Sequence, residues 1–222
     1  MSINIAIDGP AGAGKSSISK RLAKELGCLY VDTGAMYRAI AYYFVSEKLP
    51  ISEEAIAENC VRADVSLRYE NGEQIVMLNG KNVTPYIRSK DVTALASVCS
   101  AVPRVREHLL ALQRSLAAEH DVVMDGRDIG TTILPDAQVK IFLTASARVR
   151  ALRRQKEMEE KGEKCSFDEI LAQIIERDER DRTREASPLR QAEDAVLVDT
   201  SDMDIETVVR TLIGIVKEKT EL

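Results

Sequence analysis

Five short apolar runs punctuate the chain: INIAID (3–8), CLYVD (28–32), DVVMD (121–125), VKIFL (139–143) and AVLVD (195–199). Each is apolar almost without interruption. Over roughly four to eight residues, that pattern suits strands covered on both faces, as in a parallel sheet; a strand with one wet face alternates instead. Between the runs, hydrophobic positions fall three or four apart. Ile18, Leu22 and Leu26 line one side of a helix, and Gly27 stands where its cap would be. Val105, Leu109, Leu112 and Leu116 line another that begins at Pro103. Ile205, Val208, Val209, Leu212 and Val216 line a third, which closes the chain. Short buried strands alternating with helices predict a doubly wound α/β sheet.

Residues 63–88 break that rhythm, with Asn71-Gly72 and Asn79-Gly80 set between apolar runs. Asn-Gly supplies the two left-handed positions a tight hairpin needs, so a small antiparallel sheet inserted into the α/β core is expected.

The 222 residues suit one large domain, and 45% hydrophobic content allows a real core. Net charge is only −5, from 31 basic and 36 acidic residues, which argues against general attraction to nucleic acid or membrane. No apolar segment approaches a membrane span, and no basic leader precedes the first strand, so a soluble cytoplasmic protein is expected. Cys28, Cys60, Cys99 and Cys165 show no paired spacing and read as small apolar residues; His108 and His120 stand apart from them.

Asp32-Thr33-Gly34 looks like one active-site loop of an aspartic protease, with Asp199-Thr200-Ser201 as a distant second. Such enzymes are all-β and pair two carboxylates across lobes. Here each aspartate ends a strand in an α/β rhythm. The carboxyl ends of parallel strands face the ligand crevice, so Asp32, Asp125 and Asp199 are expected along one rim, Asp199 as a turn or N-cap acid.

The first strand runs into Gly9-Pro10-Ala11-Gly12-Ala13-Gly14-Lys15-Ser16, followed by Ser17. The spacing fits a P-loop. Glycines let successive amides converge on a phosphate, and the following helix adds its N-terminal dipole. Lys15 can reach the β- and γ-phosphates, and the Ser16 hydroxyl can ligate Mg²⁺. Asp125, at the end of VVMD, is a candidate acid on the metal side. The Asn-Lys-x-Asp guanine reader of GTPase switches is missing.

Arginines supply the rest. Arg127 and Asp128 stand side by side on the rim; a simple salt bridge between them is the alternative reading. Arg104 and Arg106 occupy a helix start, where the dipole disfavours cations unless something anionic lies near. Ser166 with Glu169 forms a capping box, and Ile170, Ile174, Arg177, Asp181 and Arg184 then share one helical face. Arginines in line with an apolar stripe point toward the protein body. Upstream lie Arg148, Arg150, Arg153 and Arg154 and a charged turn around Gly162, so the two helices read as a lid over the crevice.

A P-loop, Asp-Thr-Gly-Ala-Met-Tyr-Arg (32–38), Gly-Arg-Asp-Ile-Gly-Thr (126–131) and a late arginine-aspartate helix occur here in that order. In this combination the chain closely resembles the bacterial cytidylate kinases over nearly its whole length. The resemblance implies a P-loop NTPase-type five-stranded parallel sheet flanked by helices, with a small antiparallel insert and a helical lid. It implies one kinase domain spanning 1–222, a monophosphate-binding insert at about 34–102 and the lid at about 148–185. It implies transfer of the ATP γ-phosphoryl group to CMP or dCMP with Mg²⁺, in a monomer without nucleic-acid or membrane partners. ATP would lie on Gly9 to Ser17. Thr33, where many relatives have serine, and Arg38 would hold the acceptor, with Arg38 on its phosphate. Ser97, Arg106 and Asp128 would read cytosine; Arg177, Asp181 and Arg184 would contact ribose and phosphate. Lys15, Arg127, Arg177 and Arg184, with Arg153, would neutralise transferring charge. Two alternatives stay open: a P-loop kinase for another small acceptor, and a nucleotide-dependent binding module without turnover.

Overall fold

A computed structural model describes residues 2–160 and 162–220. The five apolar runs are strands of one parallel sheet: β1 (Asn4–Asp8), β2 (Leu29–Asp32), β6 (Val122–Gly126), β7 (Val139–Thr144) and β8 (Val196–Asp199), in the order β2-β6-β1-β7-β8. β1 is central, pairing Asn4 with Val122 on one side and Ile5 with Val139 on the other.

Both faces of the sheet are covered, which is why its strands are mostly apolar rather than alternating. Ile5, Ile7, Val123, Ile141 and Leu143 point to one side, against α1 (Lys15–Leu26) and α8 (Ile205–Lys219). Ala6, Val31, Val122 and Met124 point to the other, against α2 (Thr33–Ser46) and α5 (Pro103–Glu119). Ile7, Leu22 and Leu212 are fully buried, each stabilising the fold by about 1.5–3 kcal/mol. α1 ends as expected: Gly27 takes φ 70°, and its amide caps the last turn.

The insert carries α3 (Glu53–Asn59), β3 (Val65–Glu70), β4 (Glu73–Leu78), β5 (Lys81–Asn82) and α4 (Lys90–Cys99). Its three strands form an antiparallel sheet, β3-β4-β5. Asn71, Gly72, Asn79 and Gly80 all take positive φ, as Asn-Gly hairpins require. The hairpin is fastened to the main sheet at β2: the Tyr69 hydroxyl donates to the Tyr30 carbonyl at 3.1 Å, and the Asp32 amide donates to Gln74 Oε1 at 2.9 Å.

α6 (Ala147–Glu160) and α7 (Phe167–Thr183) pack together around Ala151, Ile170 and Ile174. Two expectations change here. Ser166 starts α7, but its hydroxyl makes no capping bond; Asp168 and Glu169 favour the positive helix end by charge instead. The buried face of α7 also includes Asp178, and the helix stops at Thr183, so Arg184 projects from extended backbone just past its end. Among the described residues, no helix is long and apolar enough to cross a membrane.

Candidate active site

The turn after β1 begins at a position with no room for a side chain. A Cβ on Gly9, at φ 149°, would lie 1.9 Å from the Leu143 carbonyl oxygen. Gly12 and Gly14 take φ 77° and 86°, and Gly14 stands at the N-terminus of α1. Pro10 and Ala13 are buried beneath this cradle, while Ser16 and Ser17 are exposed on the first turn. Lys15 is buried and donates to the Pro10 carbonyl at 2.7 Å. Burial, and then the charge of Arg127, hold its pKa well below the usual lysine value.

The Ser16 hydroxyl donates to Asp125 Oδ2 at 3.0 Å, and the Tyr30 hydroxyl donates to Asp125 Oδ1 at 3.1 Å. Burial, reinforced by Asp32, pushes Asp125 up to about 6, and Lys15 pulls the other way. Among the described residues no group of three or more His, Cys, Asp and Glu side chains could hold a metal. A hydroxyl beside one carboxylate at a phosphate cradle still fits Mg²⁺, which takes one or two protein ligands and completes its shell with water and phosphate oxygens.

Asp8 is also buried, at the last position of β1. Its two oxygens each accept a backbone amide, from Ile129 and Gly130, at 2.8 Å. Burial raises its pKa to about 6 against the pull of those amides.

Along the rim, the Thr33 hydroxyl donates to the Asp125 carbonyl at 2.8 Å. Asp32 caps α2 through Ala35 and also holds Arg38 at 2.8 Å. Arg88 of the insert reaches the same carboxylate at 3.4 Å.

Arg127 and Asp128 do not pair with each other: they point apart and take separate partners. Arg127 Nε donates to Asp181 Oδ2 at 2.9 Å. Burial works to raise the pKa of Asp181, but Arg127, Arg177 and Arg184 together outweigh it and the net shift is down. Asp128 forms an ion pair with Arg106, the anionic neighbour that a cation in the first turn of α5 requires. Arg106 is held further by the Ser100 carbonyl and the Ser187 hydroxyl, each at 3.1 Å, and lies over the Tyr37 ring at 5.4 Å. Arg184 Nε donates to the Ser187 carbonyl at 2.7 Å, and its Nη2 lies 3.8 Å from Asp128 Oδ1. Ser187, at φ 48°, thus presents its hydroxyl to one arginine and its carbonyl to another.

Arg177 stands differently. Its Nε meets no hydrogen-bond partner among the described residues. Burial and then Arg127 lower its pKa to about 10. Lys15, Arg127, Arg177 and Arg38 therefore form one positive cluster between the cradle and the rim.

Four residues settle apart from that cluster. Arg153 donates to Thr200 Oγ1 and to the Thr200 carbonyl, at 3.2 and 2.6 Å, on the loop after β8. Ser97 meets Arg180 at a marginal 3.5 Å, and Arg180 is held chiefly by Glu176 at 2.6 Å. Arg104 pairs on the surface with Glu107. Asp199 accepts from the amide and hydroxyl of Ser201, a turn acid as expected.

Sequence reasoning missed Asp8, Arg150, Asp178 and Ser187. Arg150 is buried and donates to Ala11 of the cradle and to Asp178. Asp178 lies four positions after Ile174, so extending the apolar stripe of α7 with a four-residue step would have found it.

A strand running into an amide cradle, a serine-aspartate pair beside it, and arginines gathered from rim and lid define a phosphotransferase of the P-loop class. The family model for cytidylate kinase matches residues 5–218, and the chain belongs to that family. A cytidylate kinase from Carboxydothermus hydrogenoformans is 47% identical over 221 residues, covering 99% of this chain and 100% of that protein. Another, from Caldicellulosiruptor saccharolyticus, is 49% identical over 212 residues, 95% of this chain and 94% of that protein. A solved structure of an uncharacterised protein from Eubacterium ventriosum superposes with TM-score 0.50 at 13% identity, over 97% of this chain and 99% of that one, a likeness of fold alone.

Proposed function

We propose that the protein transfers the γ-phosphoryl group of ATP to CMP or dCMP, giving ADP and CDP or dCDP. The observation that carries this reading is the Arg106–Asp128 pair set beside the positive cluster of Lys15, Arg38, Arg127 and Arg177. A donor next to an acceptor suits a base edge that both donates and accepts. A cluster of cations suits a phosphate, so the acceptor is a nucleotide.

In this reading ATP rests its phosphates on Gly9 to Ser17, and a cleft of about 410 Å³ beside Pro10, Arg150 and Asp199 has room for its nucleoside end. Ser16 and Asp125 would hold Mg²⁺, which when bound neutralises charge on the β- and γ-phosphates. Asp128 accepts from the exocyclic amine of cytosine and Arg106 donates to its ring acceptors, with Ser97 at the same end. A uracil carbonyl facing Asp128 would leave two acceptors opposed, a mismatch that discriminates strongly. Thr33 and Arg38 seat the acceptor phosphate; Asp181 and Arg184 face its ribose. The phosphate oxygen, already anionic, attacks in line without a general base. Lys15, Arg127, Arg177 and Arg184 stabilise the charge of the transferring group, each worth on the order of 10²-fold or more in turnover.

The test is ADP release from ATP·Mg²⁺ with CMP, dCMP, UMP, AMP or no acceptor. Fast release with CMP and dCMP alone supports the proposal. Equal release with UMP removes Asp128 as base reader and leaves a broader pyrimidine kinase. Release independent of acceptor overturns kinase activity.

A further inference from the structure

Asp8 has no part in the transfer just described, yet it is among the most tightly held acids in the protein. Its two oxygens take the Ile129 and Gly130 amides, both at 2.8 Å, from a segment more than a hundred positions away. Those amides follow directly on Asp128, where the chain leaves β6 with φ −147° and ψ 28° and enters a tight turn over Ile129–Ile133. The clamp has little slack: a Cβ on Gly130 would lie 3.2 Å from Lys140 Cδ and 3.4 Å from Asp8 Oδ2. The Ile129 side chain is fully buried behind it. Arg106 and Arg184 both draw on the Asp128 carboxylate from the far side. What resists them is the backbone from which that carboxylate projects, and Asp8 holds that backbone. Asp8 is also the residue before Gly9, so the same side chain belongs to the strand that opens the phosphate cradle.

We propose that Asp8 is a positioning residue for base selection: by gripping the amides of Ile129 and Gly130 it fixes the direction in which Asp128 faces the acceptor base. The inference rests on the assignment of Asp128 as base reader. The grip requires two acceptor oxygens. An asparagine offers one, and turns an amine toward the second amide.

The test compares wild type with Asp8→Asn and, as a second variant that keeps two acceptors but displaces them, Asp8→Glu. Each is assayed for kcat and KM with CMP, with UMP and with ATP. In Asp8→Asn the KM for CMP rises, the CMP-to-UMP ratio of kcat/KM falls by about tenfold or more, and the KM for ATP moves by less than about twofold. Asp8→Glu lowers the same ratio by a smaller factor. A role confined to stability would lower the melting temperature and leave that ratio alone. A ratio within about twofold of wild type in whichever variant is soluble overturns the inference, as does an ATP KM that rises as much as the CMP KM. A wild type with no preference for CMP would instead strike the base-reading assignment itself, so the two failures are distinct.

Discussion

Arg150 of α6 and Asp178 of α7 meet as a buried fork, Nη1 to Oδ1 at 3.0 Å and Nη2 to Oδ2 at 2.5 Å. The remaining donors of Arg150 go to backbone: Nε to the Ala145 carbonyl, and Nη1 also to the Ala11 carbonyl inside the phosphate cradle, both at 2.9 Å. One guanidinium thus binds two lid helices and the cradle into a single piece.

Removing either partner strands a buried charge. Asp178→Asn or Arg150→Met should destabilise the fold by about 3–5 kcal/mol, read as a fall in the denaturant midpoint. The double variant Arg150→Met/Asp178→Leu should recover much of that loss, because no lone charge remains. A double variant no more stable than the singles would mean that the backbone contacts, not the ion pair, dominate.

Arg177 should behave in the opposite way. Burial disfavours its charge most, and the neighbouring charges of Arg127 and Arg38 add to that effect. Arg177→Met should raise the melting temperature of the substrate-free protein by about 2–4 °C, equivalent to roughly 1 kcal/mol at this size. It should lower turnover with CMP by on the order of 10²-fold. Stability gained as activity is lost would identify a strained functional cation.

Tyr30 orients Asp125 from behind. Tyr30→Phe keeps the packing and removes one hydrogen bond, costing about 1 kcal/mol of stability. Its sharper effect should be on the metal: the Mg²⁺ concentration for half-maximal ATP binding, measured by calorimetry, should rise about tenfold. An unchanged Mg²⁺ requirement would show that Ser16 alone orients the carboxylate.

Asp8 also gives a pH signature with a definite sign. Burial raises its folded pKa to about 6, above the ordinary value of 3.8. Between those values the native protein binds a proton that the unfolded chain has released. The resulting stability is full below about pH 4 and is lost as pH rises through 6. Relative to Asp8→Asn, wild type should lose up to about 3 kcal/mol between pH 4 and pH 7, measured by denaturant unfolding at each pH. A difference that stays level across that range would place the folded pKa near its ordinary value.

The alternation of strands and helices, the P-loop and both hairpins could be read directly from the chain, because each is a local pattern of burial or backbone conformation. Asn71-Gly72 needs no distant partner to announce a turn. The partnerships of the charged side chains could not be read that way. Arg150 sits in a run of arginines and looks like surface until Asp178 and Ala11 are brought to it by the packing of α6 on α7. Asp8 resembles any acid ending a strand, since its two amides come from a turn on another strand. Arg153 and Arg150 carry the same charge on the same helix. Which of them faces the cradle depends on how α6 leaves β7, and no spacing in the sequence records that angle.

The order β2-β6-β1-β7-β8 has a consequence for how the chain is made. β1 precedes both of its neighbours, β6 and β7, by more than a hundred residues. Until they arrive, a largely apolar strand with two unpaired edges has no mate. The hairpin of the insert, whose turns close locally, can form meanwhile. The central sheet should therefore assemble late and in one step, and the nascent chain should be most prone to aggregation, and most dependent on chaperones, before β6 and β7 emerge.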